Sequence, residues 1–219
     1  KVKLKKIKNK NKKREFYLTD LVEIFIKENY KVSNFNCKLG ESMGVNNKED
    51  LAKLEKQFQE EMRKKFLKKG VTLIDPPSIF FSKDTKIGKD VVIYPNVYFG
   101  PGVKIGDNVT IKSFCHIELS KIGNSSVIGP FARLRGYTVI DNNAKVGNFV
   151  EIKKSKVSHD VKISHLSYVG DSVIGKKSNI GAGTITCNFD GFKKNKTYIG
   201  ENCFIGSNTS LIAPIKIKK

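Results

Sequence analysis

The sequence has little of what metal centres, secreted proteins and membrane proteins require. Its 219 residues include 3 histidines and 4 cysteines, and no segment approaches the roughly 18 consecutive apolar residues that span a membrane. The lysine-rich first residues lack the apolar core and cleavage pattern of a secretory signal. The cysteines have neither metal-ligand spacing nor a paired framework, so we interpret them as free thiols in a reducing cytoplasm. They are Cys37, Cys115, Cys187 and Cys203.

Acidic residues are also scarce, with 21 Asp and Glu against 41 Lys and Arg, for a net charge of +20. Such a charge could indicate nucleic-acid binding. The lysines are scattered, however, with few arginines and no aromatic residues interleaved in the lysine-rich start, whereas nucleic-acid sites rely on arginine forks and stacking rings. We therefore favour a compositional bias toward lysine, with no nucleic-acid partner. Phosphorylated small molecules are compatible with either interpretation.

Two helices are predicted in the first part of the chain. Residues 18–29 have an apolar face, with Thr19 or Asp20 as the N-cap. Residues 47–69 repeat apolar positions at steps of three or four, and Gly70 follows as a stop.

A strand is predicted between these helices, at residues 30–37. This part has too little apolar mass for a complete domain, so we expect it to be the end of one. The predicted organisation is a domain remnant at 1–46, a linking helix at 47–70 and a repeat domain at 71–219.

From about residue 85, an aliphatic or aromatic residue returns every five or six positions. The series is Ile87, Ile93, Phe99, Ile105, Ile111, Ile117, Ile122, Ile128, Leu134, Ile140, Val146, Ile152, Val157, Ile163, Val169, Ile174, Ile180, Ile199, Ile205, Leu211 and Ile217. This period fits neither an α-helix nor a two-sided strand, and it indicates an all-β fold, the hexapeptide class of parallel β-helix. Three hexads then form one triangular coil, and coils stack about 4.8 Å apart. A β-sandwich is disfavoured, because ordinary turns would not preserve the phase for so long.

The repeat predicts which side chains stack in neighbouring coils. Arg135 and Lys153 each follow the apolar position of hexads on the same face, so they should lie one above the other. Two cations at about 5 Å repel each other unless they share an anion or a carboxylate. The pair is either two solvated surface cations or an anion site.

A second column contains His165, with Asn148 below it and Ala182 and then Ser207 above it. A metal site would need companion ligands, but His116 and His159 fall in other positions and cannot converge with His165 within one chain. The column leaves two interpretations open, a turn residue and a functional histidine with room for a ligand beneath the small Ala182.

The period also breaks at 184–200, where an inserted loop carries Asn188, Asp190, Gly191 and Lys194. Insertions of this kind often mark the binding face of a solenoid.

Four segments carry a family resemblance: "GPFARLR", "VGNFVEIKKSKV", "SHLSYVGDSVIG" and "NIGAGTITCNFDG". They resemble the bifunctional bacterial enzyme that acetylates glucosamine 1-phosphate and then uridylylates the product, the GlmU family. Upstream, "EFYLTDLVEIF" and "GVNNKEDLAKLE" resemble the end of its nucleotidyltransferase domain and its linking helix. The resemblance implies a left-handed β-helix, preceded by a short α/β remnant, and a homotrimer with active sites at subunit boundaries.

The resemblance also implies roles for individual residues. His165 corresponds to the general base, and Phe189 stands where the family often has tyrosine, which keeps a ring but loses a hydroxyl. The substrate-binding residues are Arg135, Lys153, Tyr168, Asn179 and Lys194. The acetyl-CoA contacts are Ala182, Asn188, Phe189 and Ser207. Asn46 corresponds to a Mg²⁺ ligand of the uridylyltransferase site.

The expected function is acetyl-CoA-dependent N-acetylation of glucosamine 1-phosphate, in the cytoplasm and without a membrane partner. Two alternatives are a β-helix acyltransferase for another amino- or hydroxyl-bearing substrate, such as another phosphorylated amino sugar, and a non-catalytic solenoid that binds polyanions.

The chain begins with Lys1 and stops in "IAPIKIKK", so we expect a fragment of a longer protein. The family's nucleotide-binding loop would lie upstream and its last coils downstream. Uridylyl transfer is therefore not expected from these residues, and acetyl transfer is expected to be weak.

Overall fold

A computed structural model describes residues 2–37 and 42–219. The chain divides into two compact units, Lys1–Asp50 and Leu51–Lys219. The three-part domain assignment made from the sequence remains a prediction. No helix in the two described ranges is both long enough and apolar enough to cross a lipid bilayer.

The first unit contains a short 3₁₀ helix at Lys3–Lys6 and α1 at Asp20–Lys27. Helix α1 confirms the first predicted helix, and Thr19 occupies the N-cap position, but it does not cap the helix through its side chain. Thr19 has helical dihedrals (φ −59°, ψ −28°) and its side chain makes no capping bond, whereas a capping residue takes extended dihedrals. The strand predicted at 30–37 is wrong. Those residues have no regular structure, because a strand requires a partner for its backbone groups and none pairs with them among the described residues.

Helix α2, at Lys48–Leu67, confirms the second predicted helix. Met62 and Phe66 are buried against the β-helix core. The Gln59 amide hydrogen-bonds both the backbone oxygen and the backbone nitrogen of Phe81 at 2.8 Å, satisfying the open edge of a sheet. After α2, Gly70 adopts a positive φ of 84°, as expected for a helix stop.

The remaining chain forms a parallel β-helix with three sheets of eight strands, which confirms the predicted fold. The first sheet contains β1 (Thr72–Leu73), β4 (Val92–Ile93), β7 (Thr110–Ile111), β10 (Val127–Ile128), β13 (Lys145–Asn148), β16 (Lys162–His165), β19 (Asn179–Ile180) and β22 (Phe204–Ile205). The second contains β2 (Phe80–Phe81), β5 (Tyr98–Phe99), β8 (His116–Ile117), β11 (Arg133–Arg135), β14 (Glu151–Lys153), β17 (Tyr168–Gly170), β20 (Ile185–Cys187) and β23 (Ser210–Ile212). The third contains β3 (Lys86–Ile87), β6 (Lys104–Ile105), β9 (Ser120–Ile122), β12 (Thr138–Ile140), β15 (Lys156–Val157), β18 (Ser172–Ile174), β21 (Thr197–Ile199) and β24 (Ile215–Ile217).

The repeating apolar residues form the core inside the triangle. All members of the predicted series are buried except Ile87 and Ile217, which pack against the core at its edges. The β-helix begins earlier than the visible period, at β1. A 3₁₀ helix at Pro76–Ser78 interrupts the first coil and hides its phase in the sequence.

The corner between the first and second sheets carries an apolar ladder, which we define as Phe114, Phe131, Phe149 and Leu166. These residues have φ between 49° and 61°. The rings of Phe114 and Phe131 stack at 4.8 Å, and those of Phe131 and Phe149 at 5.0 Å. All four side chains are exposed in the single chain. The ladder ends beside His165.

Candidate functional site

The His165 column exists as predicted. His165 ends β16 and pairs directly with Asn148 of β13. Because Ile163 pairs with Ile180, and Ile180 with Ile205, the register carried two residues further places Ala182 and then Ser207 above His165. The four residues therefore follow one corner through four coils.

The His165 ring has one nitrogen bound and one free. Its Nδ1 lies 2.6 Å from Oδ1 of Asn148. An amide oxygen can only accept a hydrogen bond, so Nδ1 carries the hydrogen, and in the neutral ring Nε2 keeps its lone pair. The His165 side chain is exposed. Nε2 is thus available to take a proton from a ligand at this corner.

The predicted cation pair also forms, because Arg135 of β11 pairs with Lys153 of β14. The structure adds a residue that the sequence analysis missed. Glu151 accepts a hydrogen bond from Nε of Arg135 at 2.6 Å, and both side chains are about 30% exposed. Its position two residues before Lys153, on the same outward face, is the sequence signal that could have identified it.

The inserted loop brings a third cation to this pair. The Lys194 side chain lies against that of Lys153, and this contact, together with the positive charge of Lys153, lowers the pKa of Lys194, while the nearby Asp171 carboxylate acts in the opposite direction. The two side chains carry like charges, so their contact is electrostatically unfavourable. An anion placed among Arg135, Lys153 and Lys194 would relieve it.

Tyr168 and Asn188 meet above Gly170 of β17. A Cβ atom at position 170 would lie 2.5 Å from the Tyr168 hydroxyl and 2.7 Å from Nδ2 of Asn188. Real side-chain contacts are never this short, so glycine is required for the two polar groups to approach. Tyr168 and Asn188, predicted as separate contacts, are therefore neighbours.

Asp190 organises the loop itself. Its carboxylate accepts hydrogen bonds from the backbone nitrogens of Phe192 (2.9 Å) and Lys193 (2.8 Å) and from Nδ2 of Asn195 (2.8 Å). These bonds lower the pKa of Asp190 to about 2. The backbones of Phe189 and Lys194 form an antiparallel β-bridge across the loop base, and Phe189 is 60% exposed. Lys194 is thereby held at a defined position.

Two predicted site residues lie elsewhere. Asn179 is on β19 in the first sheet, between Lys162 and Phe204, whereas Tyr168 and Lys153 are on the second sheet. Asn46 belongs to the other compact unit, where its backbone nitrogen donates to Asp50. No cluster of three His, Cys, Asp or Glu side chains suited to a metal occurs among the described residues.

The other two histidines have partners of their own, and the cysteines form no disulfide. The ring of His116 packs on Tyr98 at 4.8 Å, and His159 pairs with Asp160 at 2.8 Å. All four cysteines are free thiols, as predicted. Cys115 is buried in the core, and burial raises the pKa of its thiol to about 11.

Two family models match the chain: "Bacterial transferase hexapeptide (six repeats)" at residues 84–118 and "GMPPB C-terminal domain" at residues 116–190. With the fold, they define a hexapeptide-repeat β-helix protein of the bacterial transferase class. Proteins named "Bifunctional protein GlmU" from Wolbachia pipientis and Zymomonas mobilis are each 50% identical to it over 214 residues, or 98% of this chain. Over these residues, the chain belongs to the GlmU family.

The chain spans about half the length of the curated relatives it matches, 50% of the Wolbachia protein and 48% of the Zymomonas protein. Among solved structures, a UDP-N-acetylglucosamine acyltransferase from Campylobacter jejuni is 21% identical with a TM-score of 0.42. That match covers 64% of this chain and 66% of the other.

Proposed function

We propose that this chain carries the acetyl-CoA-dependent N-acetylation of glucosamine 1-phosphate. The observation that carries the proposal is the exposed Nε2 of His165, whose ring is held by the contact of Nδ1 with Asn148. His165 lies one coil above Lys153, which belongs to a cation group that we define as Arg135, Lys153 and Lys194. An amine attacks a thioester only as the free base, so a proton acceptor at this position matches the reaction. A cation group in the adjoining coils matches a phosphorylated sugar.

The reaction follows from these groups. The sugar nitrogen attacks the thioester carbonyl of acetyl-CoA and forms the new C–N bond while His165 Nε2 takes its proton. The tetrahedral intermediate then collapses, the C–S bond breaks, and the CoA thiolate leaves and takes the proton from His165. The protein supplies orientation and proton transfer, which typically contributes 10²–10⁴-fold to rate.

Arg135, Lys153 and Lys194 are proposed to hold the sugar phosphate. The carboxylate of Glu151 fixes the Arg135 guanidinium, while Lys153 and Lys194 bring two like charges into contact. A dianionic phosphate bound between Lys153 and Lys194 would offset their repulsion and hold the inserted loop against the second sheet. Tyr168 and Asn179 are proposed to contact the sugar.

Acetyl-CoA is proposed to bind along the same corner, against Ala182, Asn188, Phe189 and Ser207. Ala182 leaves space directly above His165, and the exposed Phe189 ring offers an apolar surface. Asn179 lies on the first sheet and Tyr168 on the second, so a second copy of the chain is proposed to bring both kinds of residue to one substrate. The exposed apolar ladder beside His165 supports a homotrimer assembled at this corner.

The remaining family activity is proposed for the longer protein. Uridylyl transfer with Mg²⁺ would use Asn46 together with residues outside this chain. The free thiols and the small-molecule substrates are compatible with a cytoplasmic enzyme without nucleic-acid or membrane partners.

CoA release by the full natural polypeptide tests the proposal. It is measured with glucosamine 1-phosphate, glucosamine 6-phosphate and glucosamine, each with acetyl-CoA. We expect turnover with glucosamine 1-phosphate and little with unphosphorylated glucosamine. Preference for another amino sugar would replace the substrate assignment. No release with any amine, together with salt-sensitive binding to a polyanion, would favour a non-catalytic solenoid.

A further inference from the structure

Asp171 is a buried carboxylate that the proposed reaction does not use. Its side chain is only 7% exposed, and it lies one residue after Gly170 at the corner where the second sheet ends. Nδ2 of Asn188 donates a hydrogen bond to it at 2.6 Å. Nζ of Lys154, a side chain that is 70% exposed, lies 3.9 Å from the carboxylate, and Lys194 of the inserted loop also interacts with its charge. Burying a charge costs free energy unless the charge is paired or hydrogen-bonded. The hydrogen bond from Asn188 therefore offsets part of the cost of burying the Asp171 carboxylate.

Asp171 contacts both ends of the inserted loop. Its side chain holds Asn188, where the loop leaves β20, and its backbone oxygen accepts a hydrogen bond from the nitrogen of Thr197, where the loop enters β21 (3.3 Å). The loop base is closed between them by the bond from Asn195 nitrogen to Asn188 oxygen at 2.7 Å. One residue therefore fastens the segment that presents Phe189 and Lys194.

The hydrogen bond between Asp171 and Asn188 also fixes the orientation of the Asn188 side-chain amide. An ionised carboxylate only accepts hydrogen bonds, so Asn188 must turn its NH₂ group toward Asp171. Its oxygen Oδ1 is then directed away from the carboxylate. A neutral residue at position 171 could accept or donate, and the amide could turn over. A carboxylate selects one orientation.

We infer that Asp171 is a positioning residue for the acyl-donor site: it clamps the loop at 188–197 and holds Oδ1 of Asn188 as a hydrogen-bond acceptor for an amide N–H of acetyl-CoA. The part concerning acetyl-CoA rests on the proposed function. The clamp rests only on the contacts of Asp171. Asp171 itself touches no reacting atom in this arrangement.

The variants Asp171→Asn and Asn188→Ala test the pair from both sides, with Asp160→Asn as the matched control. Asp160 pairs with His159 away from the loop, so its substitution removes one carboxylate of the same β-helix without touching the clamp. The double variant Asp171→Asn/Asn188→Asp exchanges the two partners and re-forms an amide–carboxylate bond.

The first readout is hydrogen exchange of the backbone amides of 188–197, which needs no activity. We expect about tenfold faster exchange in Asp171→Asn, where the hydrogen bond loses its charged acceptor, and in Asn188→Ala, where the bond is removed. The exchanged pair should restore protection, and Asp160→Asn should match the wild type. Unchanged exchange in both single variants overturns the clamp, and Asn188→Ala decides the question if Asp171→Asn does not fold.

The second readout is steady-state kinetics of the full natural polypeptide. We expect the KM for acetyl-CoA to rise about tenfold in Asp171→Asn while kcat changes less than about threefold, since positioning and not proton transfer is affected. A loss confined to kcat overturns the acceptor role. If the wild type neither binds nor turns over acetyl-CoA, the proposed function and the acceptor role both fail, and the exchange experiment still decides the clamp.

Discussion

Nδ1 of His165 lies 2.6 Å from Oδ1 of Asn148, the residue directly below it in the preceding coil. This contact connects a repeat architecture to a chemical role. The coil register brings the two side chains together, the amide oxygen fixes the ring tautomer, and the tautomer leaves Nε2 free at the surface. A histidine without that partner could place its hydrogen on either nitrogen.

Substitution of Asn148 should therefore impair catalysis without impairing substrate binding. We expect Asn148→Ala to lower kcat about tenfold with little change in KM for either substrate, because part of the His165 population adopts the wrong tautomer. Asn148→Asp keeps an acceptor oxygen and should retain more activity than the alanine variant. Equal activity of Asn148→Ala and the wild type in steady-state kinetics would remove Asn148 from the mechanism.

Lys153 should matter for the phosphorylated substrate only. In Lys153→Ala, we expect the KM for glucosamine 1-phosphate to rise about tenfold or more, as expected when a charged hydrogen bond is lost, with the KM for acetyl-CoA unchanged. Lys156→Ala is the matched control, since Lys156 is an exposed lysine of β15 on the third sheet. If the two variants behave alike, the cation group does not bind the phosphate.

The β-helix and its columns could be predicted from the sequence because the repeat is itself a coordinate system. Once the hexad phase is known, the pairs of Arg135 with Lys153 and of Asn148 with His165 follow from counting, and both exist. Within the predicted repeat domain at 71–219, the phase becomes visible only after the first coil, because Pro76–Ser78 interrupts it. The prediction of a strand at 30–37 was wrong because the local residue pattern does not show whether another strand is available to pair with it.

Side-chain pairs that cross a corner or an insertion could not be predicted in the same way. Glu151 reaches Arg135 diagonally between strands, so the contact depends on rotamers as well as register. Asp171 and Asn188 meet only because the inserted loop leaves the sheet at that corner. The period places each backbone, but it does not specify where a long or polar side chain turns.

The buried thiol of Cys115 makes a separate prediction about stability and pH. Burial raises its pKa from 9.0 to about 11, so the folded protein keeps the thiol proton where the unfolded chain releases it. The stabilisation is complete below about pH 9 and is lost as pH rises toward 11. Cys115→Ala lacks this group, and the difference in unfolding free energy between wild type and variant should shrink by about 1.4 kcal/mol between pH 8 and pH 10.

Denaturant unfolding at the two pH values measures this difference. Cys37→Ala, which removes an exposed thiol, is the control measured at the same two pH values. Comparing each variant with the wild type cancels the titration of lysines and tyrosines. A pH-independent difference for Cys115→Ala would show that the thiol is ionised as easily in the folded state as in the unfolded chain.

The most direct test of His165 as the general base is the rate of CoA release in His165→Ala of the full natural polypeptide, with His159→Ala as the control. His159 is also an exposed histidine, but it pairs with Asp160 on another corner. With saturating glucosamine 1-phosphate and acetyl-CoA, we predict that His165→Ala lowers kcat at least about 100-fold and that His159→Ala stays within about twofold of the wild type. A His165→Ala rate within a few-fold of the wild type would contradict the general-base role.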